Sequence, residues 1–190
     1  MTGQLAEDTP VVALLQAVNL GRYGMVPMPR LREVTAALGH RDVGTWLATG
    51  NLLLRPRVGW SGTRADLVTE LTDHLRAELD LPLGLVLRTA AQMDAVVAAN
   101  PYPQAAAERP SRLVVMFYDG PVTAGVPDLS AYGPEATTFH GEEGYIDYTD
   151  GIGTSRLTGK VLDRTAGAKG SGRNWNTVLK VTRKLHDLGG

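Results

Sequence analysis

The alternation of apolar and polar positions predicts a strand, helix, strand, strand, helix, strand order in the first half of the chain. The predicted elements are a strand at 11–18, a helix from Pro29 to Leu38, strands at 43–48 and 52–55, a helix after Thr63, and a strand at 83–87. The middle two strands are joined through Thr49-Gly50-Asn51, whose Gly-Asn pair fits a tight hairpin turn, so we expect them to be antiparallel.

Two capping boxes mark the starts of predicted helices. Thr63 is followed three positions later by Asp66, and a leucine then recurs every fourth residue from Leu67 to Leu79. Thr89 and Gln92 have the same spacing and predict a further helix, which Asn100-Pro101 ends.

The second half of the chain repeats this order without obvious sequence identity. Its predicted elements are a strand at 113–118, a weak helix near 128–132, strands at 135–140 and 145–149, and a helix that begins near Thr154 or Ser155. A glycine-rich segment and a C-terminal helix are expected to stand in for the last strand. Trp175 lies on the apolar face of that helix and is predicted to be a core residue.

The repeated order predicts an α+β protein of two tandem ferredoxin-like (split βαβ) subdomains, with mostly antiparallel sheets covered by helices. We expect residues 1–10 to be a flexible N-terminus. Residues 11–103 would form the first subdomain with a linking helix, and residues 104–190 the second subdomain with the basic C-terminal helices.

Composition narrows the classes of function. The 190 residues include no cysteine, which excludes disulfide scaffolds and thiolate chemistry, and the four histidines lack metal-ligand spacing. We expect no cofactor and no metal. With no basic leader in the first ten residues and no apolar run long enough to span a bilayer, the prediction is a cytoplasmic protein without a membrane partner.

The net charge of −1 conceals a strong asymmetry. The acidic stretch, residues 119–150, contains seven Asp and Glu and no Lys or Arg, whereas the basic stretch, residues 152–186, contains eight Lys and Arg and only Asp163 as an acid. Arg156, Lys160 and Arg164 are four residues apart and would form a cationic stripe on one helix. Two interpretations stay open: the two stretches offset each other, or the basic one binds phosphates.

The segment from Gly167 to Asn174 adds a second pointer to anions. Its glycines would let backbone amides converge at the start of the next helix, where N–H groups and the positive end of the helix dipole favour an anion. It is not a Walker A loop, because Arg173-Asn174 stands where Lys-Ser or Lys-Thr is required. A plain interhelix loop, with Asn174 as a helix cap, is the structural alternative.

Several motifs resemble those of the uncharacterised bacterial family known as domain of unknown function sixteen ninety-seven. They are Leu14-Leu15-Gln16-Ala17-Val18-Asn19-Leu20-Gly21, Val26-Pro27-Met28, Thr49-Gly50-Asn51, Ala99-Asn100-Pro101, Asp150-Gly151-Ile152-Gly153 with Ser155-Arg156-Leu157-Thr158, and Arg173-Asn174-Trp175-Asn176-Thr177-Val178. The resemblance implies two ferredoxin-like subdomains and no established activity. The chain departs from the family pattern at Gln16-Ala17, where Arg-Gly is usual, so an anion site that relies on that arginine is weakened, although Arg22 follows in the next loop.

Polar residues at predicted strand ends and helix starts are the candidate ligand-binding residues. They are Asn19, Arg22, Asn51, Arg156, Lys160, Arg173, Asn174 and Asn176. Each asparagine has a structural alternative, because asparagine also holds turns and caps helices.

The leading functional hypothesis is the binding of an anionic partner, either a phosphorylated small molecule or a nucleic-acid backbone, by the basic C-terminal stretch. The alternative is a small-molecule enzyme with a pocket between the two subdomains, motivated by the polar loop 19–24 and by the neighbourhood of His140. Base stacking on the first sheet is not expected, because its predicted strands at 11–18 and 52–54 are aliphatic. Enzymatic activity and oligomeric state stay open.

Overall fold

The protein has an α+β fold built on two four-stranded antiparallel sheets. The structure, a computed structural model, describes residues 4–16, 26–47, 49–122 and 128–189, and these residues contain six α-helices. The chain divides into two compact units, Met1–Met93 with Val181–Gly190 and Asp94–Lys180. The predicted fold class is confirmed.

The first unit has the strand and helix order that the sequence predicts. Its elements are β1 (Val11–Gln16), α1 (Met28–Ala36), β2 (Arg41–Trp46), β3 (Asn51–Arg55), α2 (Arg64–Leu79) and β4 (Gly84–Thr89). The strands lie in the order β2-β3-β1-β4, and every neighbouring pair is antiparallel. This is the order of a split βαβ sheet, in which the first and third strands lie at the centre.

One face of this sheet and the two helices form the first core. Val11, Ala13 and Leu15 alternate along β1 and pack with the leucines of α2, of which Leu67, Leu71 and Leu75 are completely buried. Both predicted capping boxes are confirmed. Reciprocal hydrogen bonds join Thr63 to Asp66 at the start of α2 and Thr89 to Gln92 at the start of α3 (Ala90–Ala98).

Two details of the first unit differ from the sequence prediction. The connection between β2 and β3 comprises residues 47–50, and Asn51 is the first residue of β3, paired with Trp46. Near the N-terminus, Gln4 pairs with Thr63, and Leu5 is buried with its N–H donated to the Gly62 carbonyl, so both are bound to the start of α2.

The second unit repeats the sheet but changes the connections. Its further elements are α4 (Pro103–Glu108), β5 (Leu113–Tyr118), β6 (Ala136–His140), β7 (Glu143–Asp147), α5 (Gly159–Ala166), β8 (Gly170–Asn174) and the start of α6 (Trp175–Gly189). The strand order is β6-β7-β5-β8, again antiparallel. Met116 and Tyr118 of β5 pack with Leu157 and with the apolar side of α5.

Two helices predicted in the second half are shorter than expected. Between β5 and β6, the described residues contain only a 3-10 turn at Ser130–Tyr132. The helix expected near Thr154 or Ser155 is preceded by a second 3-10 turn, Ile152–Thr154, and α5 begins at Gly159. Arg156 therefore lies before α5, and the predicted helical stripe contains only Lys160 and Arg164.

The prediction that a glycine-rich loop and a helix replace the last strand is wrong. Residues 170–174 form β8, which pairs with all but the first residue of β5. The glycines serve close packing: a Cβ at Gly170 would lie 2.7 Å from the Tyr118 ring, and one at Gly172 would lie 2.9 Å from Met116 Sδ. The segment is a strand under two large side chains, and its amides do not converge as an anion-binding loop.

Among the described residues, no helix is long and apolar enough to cross a membrane.

Candidate functional site

Arg156 is an exposed arginine held in one orientation by its own unit. Its Nε donates to the Tyr132 carbonyl at 3.0 Å, and its Nη2 donates to the Ala131 carbonyl at 2.8 Å. These acceptors are neutral, so they orient the guanidinium without neutralising it. The third nitrogen, Nη1, has no hydrogen-bond partner among the described residues. Arg156 can therefore still donate to a ligand from a fixed position.

Lys160 and Arg164 lie on the solvent side of α5. Both side chains are exposed, and neither makes a hydrogen bond or an ion pair in the part of the chain that the structure describes. Their spacing of four residues places them one turn apart on the same helix face, away from the buried Val161, Leu162 and Ala166. We call Lys160 and Arg164 the α5 cations.

Arg173 lies in a different environment from the one expected. It is the fourth residue of β8, is 7% exposed, and donates from Nη1 to Ser171 Oγ at 3.0 Å and to the Gly172 carbonyl at 2.8 Å. Burial lowers the pKa of its guanidinium to about 10. A side chain this enclosed contributes to the packing of the sheet, and a partner in solution does not reach it.

The asparagines divide between structural and exposed positions. Asn51 is fully buried, and its Nδ2 donates to the Trp46 carbonyl at 2.8 Å and to Thr49 Oγ1 at 2.9 Å, which fixes the β2–β3 connection. Asn174 Oδ1 accepts the Thr177 N–H at 2.9 Å and so caps α6, as the structural alternative predicted. Asn176 is exposed in the first turn of α6 and has no partner among the described residues.

Asn19 and Arg22 lie outside the described residues, as does the whole of the polar loop 19–24 that motivated the enzyme hypothesis. His140 is exposed at the end of β6, where it pairs across the hairpin with Glu143 of β7. No described residue donates a hydrogen bond to its ring or accepts one from it.

Three carboxylates of the acidic stretch form hydrogen bonds or ion pairs with residues other than the Lys and Arg of the basic stretch. Asp147 is buried and accepts Arg109 Nη2 at 2.7 Å and Arg109 Nε at 3.1 Å. Asp128 accepts both the N–H and the hydroxyl of Ser130, and these bonds lower the pKa of its carboxyl. Glu135 accepts a short hydrogen bond from the Ser155 hydroxyl. None of these carboxylates neutralises the α5 cations.

A cavity of about 400 Å³ lies in the second unit beside Arg156. Its lining includes Tyr132 from the 3-10 turn before β6, Glu135 directly before β6, and Asp150 after β7. Ser155 and Arg156 come from the segment that leads into α5. Of these residues, the sequence analysis placed only Arg156 at a site. The motif Asp150-Gly151-Ile152-Gly153 with Ser155-Arg156 could also have indicated Asp150 and Ser155, whereas no sequence signal pointed to Tyr132 or Glu135.

A second group of ionisable side chains lies in the first unit, around His40. Its imidazole is buried, accepts the Arg57 N–H at Nδ1, and places Nε2 3.2 Å from Glu70 Oε2, within ion-pair distance. Arg57 also pairs with Glu70 at 2.6 Å and lies over the Trp60 ring. Burial lowers the pKa of His40, and the Glu70 carboxylate opposes that shift. This group ties the end of β3 to α2.

Comparison with known proteins places the chain in a family. The sequence profile described as "Protein of unknown function (DUF1697)" matches residues 9–145. The chain belongs to this family. Among solved structures, it is similar to the conserved bacterial protein SP0830 from Streptococcus pneumoniae, with a TM-score of 0.64 and 18% sequence identity over 94% of this chain and 98% of that one. At this identity the likeness concerns the fold alone. No curated protein matches the chain.

The matched range of this family member contains three of the eight predicted site residues, Asn19, Arg22 and Asn51. Arg156 and the α5 cations lie beyond residue 145. Their assignment therefore depends on their own geometry and charge.

Proposed function

We propose that the protein binds an anionic partner through exposed cations of its basic C-terminal stretch. The chemistry that would be recognised is phosphate, which a phosphorylated small molecule and a nucleic-acid backbone share. The observation that carries the proposal is the pair of α5 cations, Lys160 and Arg164, which are exposed, one helical turn apart, and without a carboxylate partner in the described chain.

Electrostatics favours an anion at this pair. Two like charges four residues apart on a helix destabilise it by about 0.2–0.5 kcal/mol. The only acid in α5 is Asp163, three residues after Lys160. It makes no ion pair with Lys160 or Arg164 in the described chain, and its Oδ1 instead accepts the Gly170 N–H at 2.8 Å. Partial burial raises the pKa of the Asp163 carboxyl, and its hydrogen bond from Gly170 and the charge of Lys169 oppose that shift. A bound phosphate would supply the missing negative charge.

Arg156 is not part of the proposed phosphate surface, because Glu135 and Asp150 line the cavity beside it. A second exposed pair lies on the next helix. On α6, Asn176 and Lys180 are both exposed and one turn apart, and neither has a partner among the described residues. The proposal leaves out Arg173 and Asn174, because their polar atoms already bind within the second unit.

The test is a titration with two probes, pyrophosphate and a short labelled single-stranded oligonucleotide, at low and at raised salt. Binding of both probes, weakened by salt, is the expected result for phosphate recognition by solvated cations. Binding of pyrophosphate alone identifies a small phosphorylated molecule as the partner. Binding of the oligonucleotide with a steep salt slope identifies a nucleic-acid backbone.

Variants then locate the binding surface. K160A and R164A should each weaken binding, and for the oligonucleotide each should reduce the slope of log affinity against log salt by about 0.7. The matched control is R30A, which removes one exposed arginine of the first unit that is ion-paired to Glu33 and Glu78. Absence of binding at low salt, or equal loss of affinity in R30A and K160A, contradicts the proposal.

A further inference from the structure

The cavity beside Arg156 presents opposite charges that do not neutralise each other. Arg156, Glu135 and Asp150 all line it, yet no nitrogen of Arg156 lies within ion-pair distance of either carboxylate. Instead the guanidinium is bound to two backbone carbonyls. A cavity of about 400 Å³ is in the size range of small-molecule sites in proteins.

Each of the two carboxylates has acceptor capacity left. Asp150 is exposed and accepts no hydrogen bond from any described residue. Glu135 accepts the Ser155 hydroxyl at Oε1, whereas its Oε2 has no hydrogen-bond partner. Ser155 is itself fixed, because its hydroxyl oxygen also accepts the Leu157 N–H at 2.9 Å. A hydrogen-bond donor of a ligand can therefore bind Asp150, beside the Glu135 and Ser155 side chains, which hydrogen bonds already hold in place.

The charge of the cavity decides the class of ligand. With one guanidinium and two carboxylates, a phosphate dianion would meet more repulsion than attraction, so this cavity does not suit the phosphate partner proposed for the α5 cations. A molecule with an anionic end and a cationic end meets an opposite charge at both. We infer that the cavity binds a zwitterionic small molecule of the α-amino acid type, with its carboxylate on Arg156 Nη1 and its ammonium group on Asp150.

The experiment measures binding by calorimetry and by NMR chemical shifts. The probes are the standard amino acids, added one at a time, and for each one that binds, its N-acetyl derivative and its amide. The N-acetyl derivative lacks the ammonium group and the amide lacks the carboxylate, so each should bind at least about tenfold more weakly than the parent.

Variants assign the two ends. D150N should lower affinity for the parent amino acid about tenfold or more while leaving affinity for the N-acetyl derivative nearly unchanged. R156Q should lower affinity for the parent amino acid by a similar factor while leaving affinity for the amide, which has no carboxylate, nearly unchanged. The matched control is D119N, which removes a carboxylate that is also exposed, has no described partner and does not line the cavity.

The outcomes separate this inference from the proposed phosphate site. K160A and R164A should leave amino acid binding unchanged, whether or not they affect pyrophosphate. Failure of every amino acid to bind, or equal affinities in D150N and D119N, overturns the inference and leaves the phosphate proposal as it was.

Discussion

Replacing Gly133 by alanine tests whether the Glu135 carboxylate at the cavity wall is held in place by its neighbours. The three nearest heavy atoms that a Cβ at Gly133 would meet all belong to the Glu135 carboxyl group, and the closest is well inside 3.0 Å. The backbone of Gly133 is extended, with φ 161° and ψ −168°, so alanine meets no backbone strain there. G133A should therefore displace the carboxylate from Ser155 and leave the course of the chain unchanged.

The magnitude follows from two opposing contributions. The lost bond joins a hydroxyl to a charged acceptor, a type that contributes about 1.5–3 kcal/mol, and the partial exposure of Glu135 places it at the lower end of that range. Alanine in place of glycine stabilises by about 0.4–1 kcal/mol, because the unfolded chain loses freedom. We expect G133A to lower the free energy of unfolding by about 0.5–1 kcal/mol.

The assay is urea unfolding followed by tryptophan fluorescence, for G133A, E135A and the double variant. In the E135A background the lost bond is already absent, so G133A should now stabilise the protein by about 0.4–1 kcal/mol. G153A is the control, because a Cβ there meets open space, and it should stabilise equally in both backgrounds. A loss of stability of the same size with and without Glu135 would refute the reasoning.

Two further predictions concern buried polar groups. Because burial lowers the pKa of His40, the folded protein favours the neutral imidazole. The neutral imidazole therefore contributes stability above pH 6.5, which is about the pKa of histidine in the unfolded chain, and this contribution is lost as the pH falls below that value. Urea unfolding of H40Q should show a smaller decrease in stability between neutral and acidic pH, and an unchanged decrease would contradict this. Tyr148 donates a buried hydrogen bond to the Leu157 carbonyl at 2.9 Å, so Y148F should lower the free energy of unfolding by about 1–2 kcal/mol, whereas a neutral effect in urea unfolding would show that water satisfies that carbonyl.

The features that local chemistry determines could be predicted from the sequence. The capping boxes at Thr63 and Thr89 need only residues three positions apart, and both are present. The succession of strands and helices along the first unit could likewise be predicted from apolar periodicity. Trp175 was assigned to the core by its helix face, and it is 5% exposed.

Features that depend on distant residues could not be predicted. The sequence of β8, Gly170 to Asn174, carries the signals of a loop, and it forms a strand because β5 lies beside it and because Tyr118 and Met116 leave no room for side chains at Gly170 and Gly172. Arg173 was taken for a surface ligand for the same reason. A glycine-rich context indicates exposure only when no neighbouring strand covers it.

The cavity residues show the same limit from the functional side. Glu135 and Ser155 are twenty positions apart, and Arg156 reaches back twenty-four positions to the Tyr132 carbonyl. Charge counting along the sequence placed Glu135 and Asp150 in one stretch and Arg156 in another, whereas the fold brings all three to one cavity. The sequence did contain the motif from Asp150 to Thr158, but the spacing of its residues could not show that several of them line a cavity.

The opposite charges of the two stretches do not imply that they neutralise each other. The buried carboxylate of Asp147 is bound by Arg109, which precedes both stretches, while Arg156, Lys160 and Arg164 make no ion pair with any carboxylate in the described residues. Charge is therefore balanced over the molecule but not at α5 or at the cavity. Because the local imbalance is positive at the α5 cations and negative at the cavity, an anion and a zwitterion would bind at different places, and raising the salt concentration should weaken the first far more than the second.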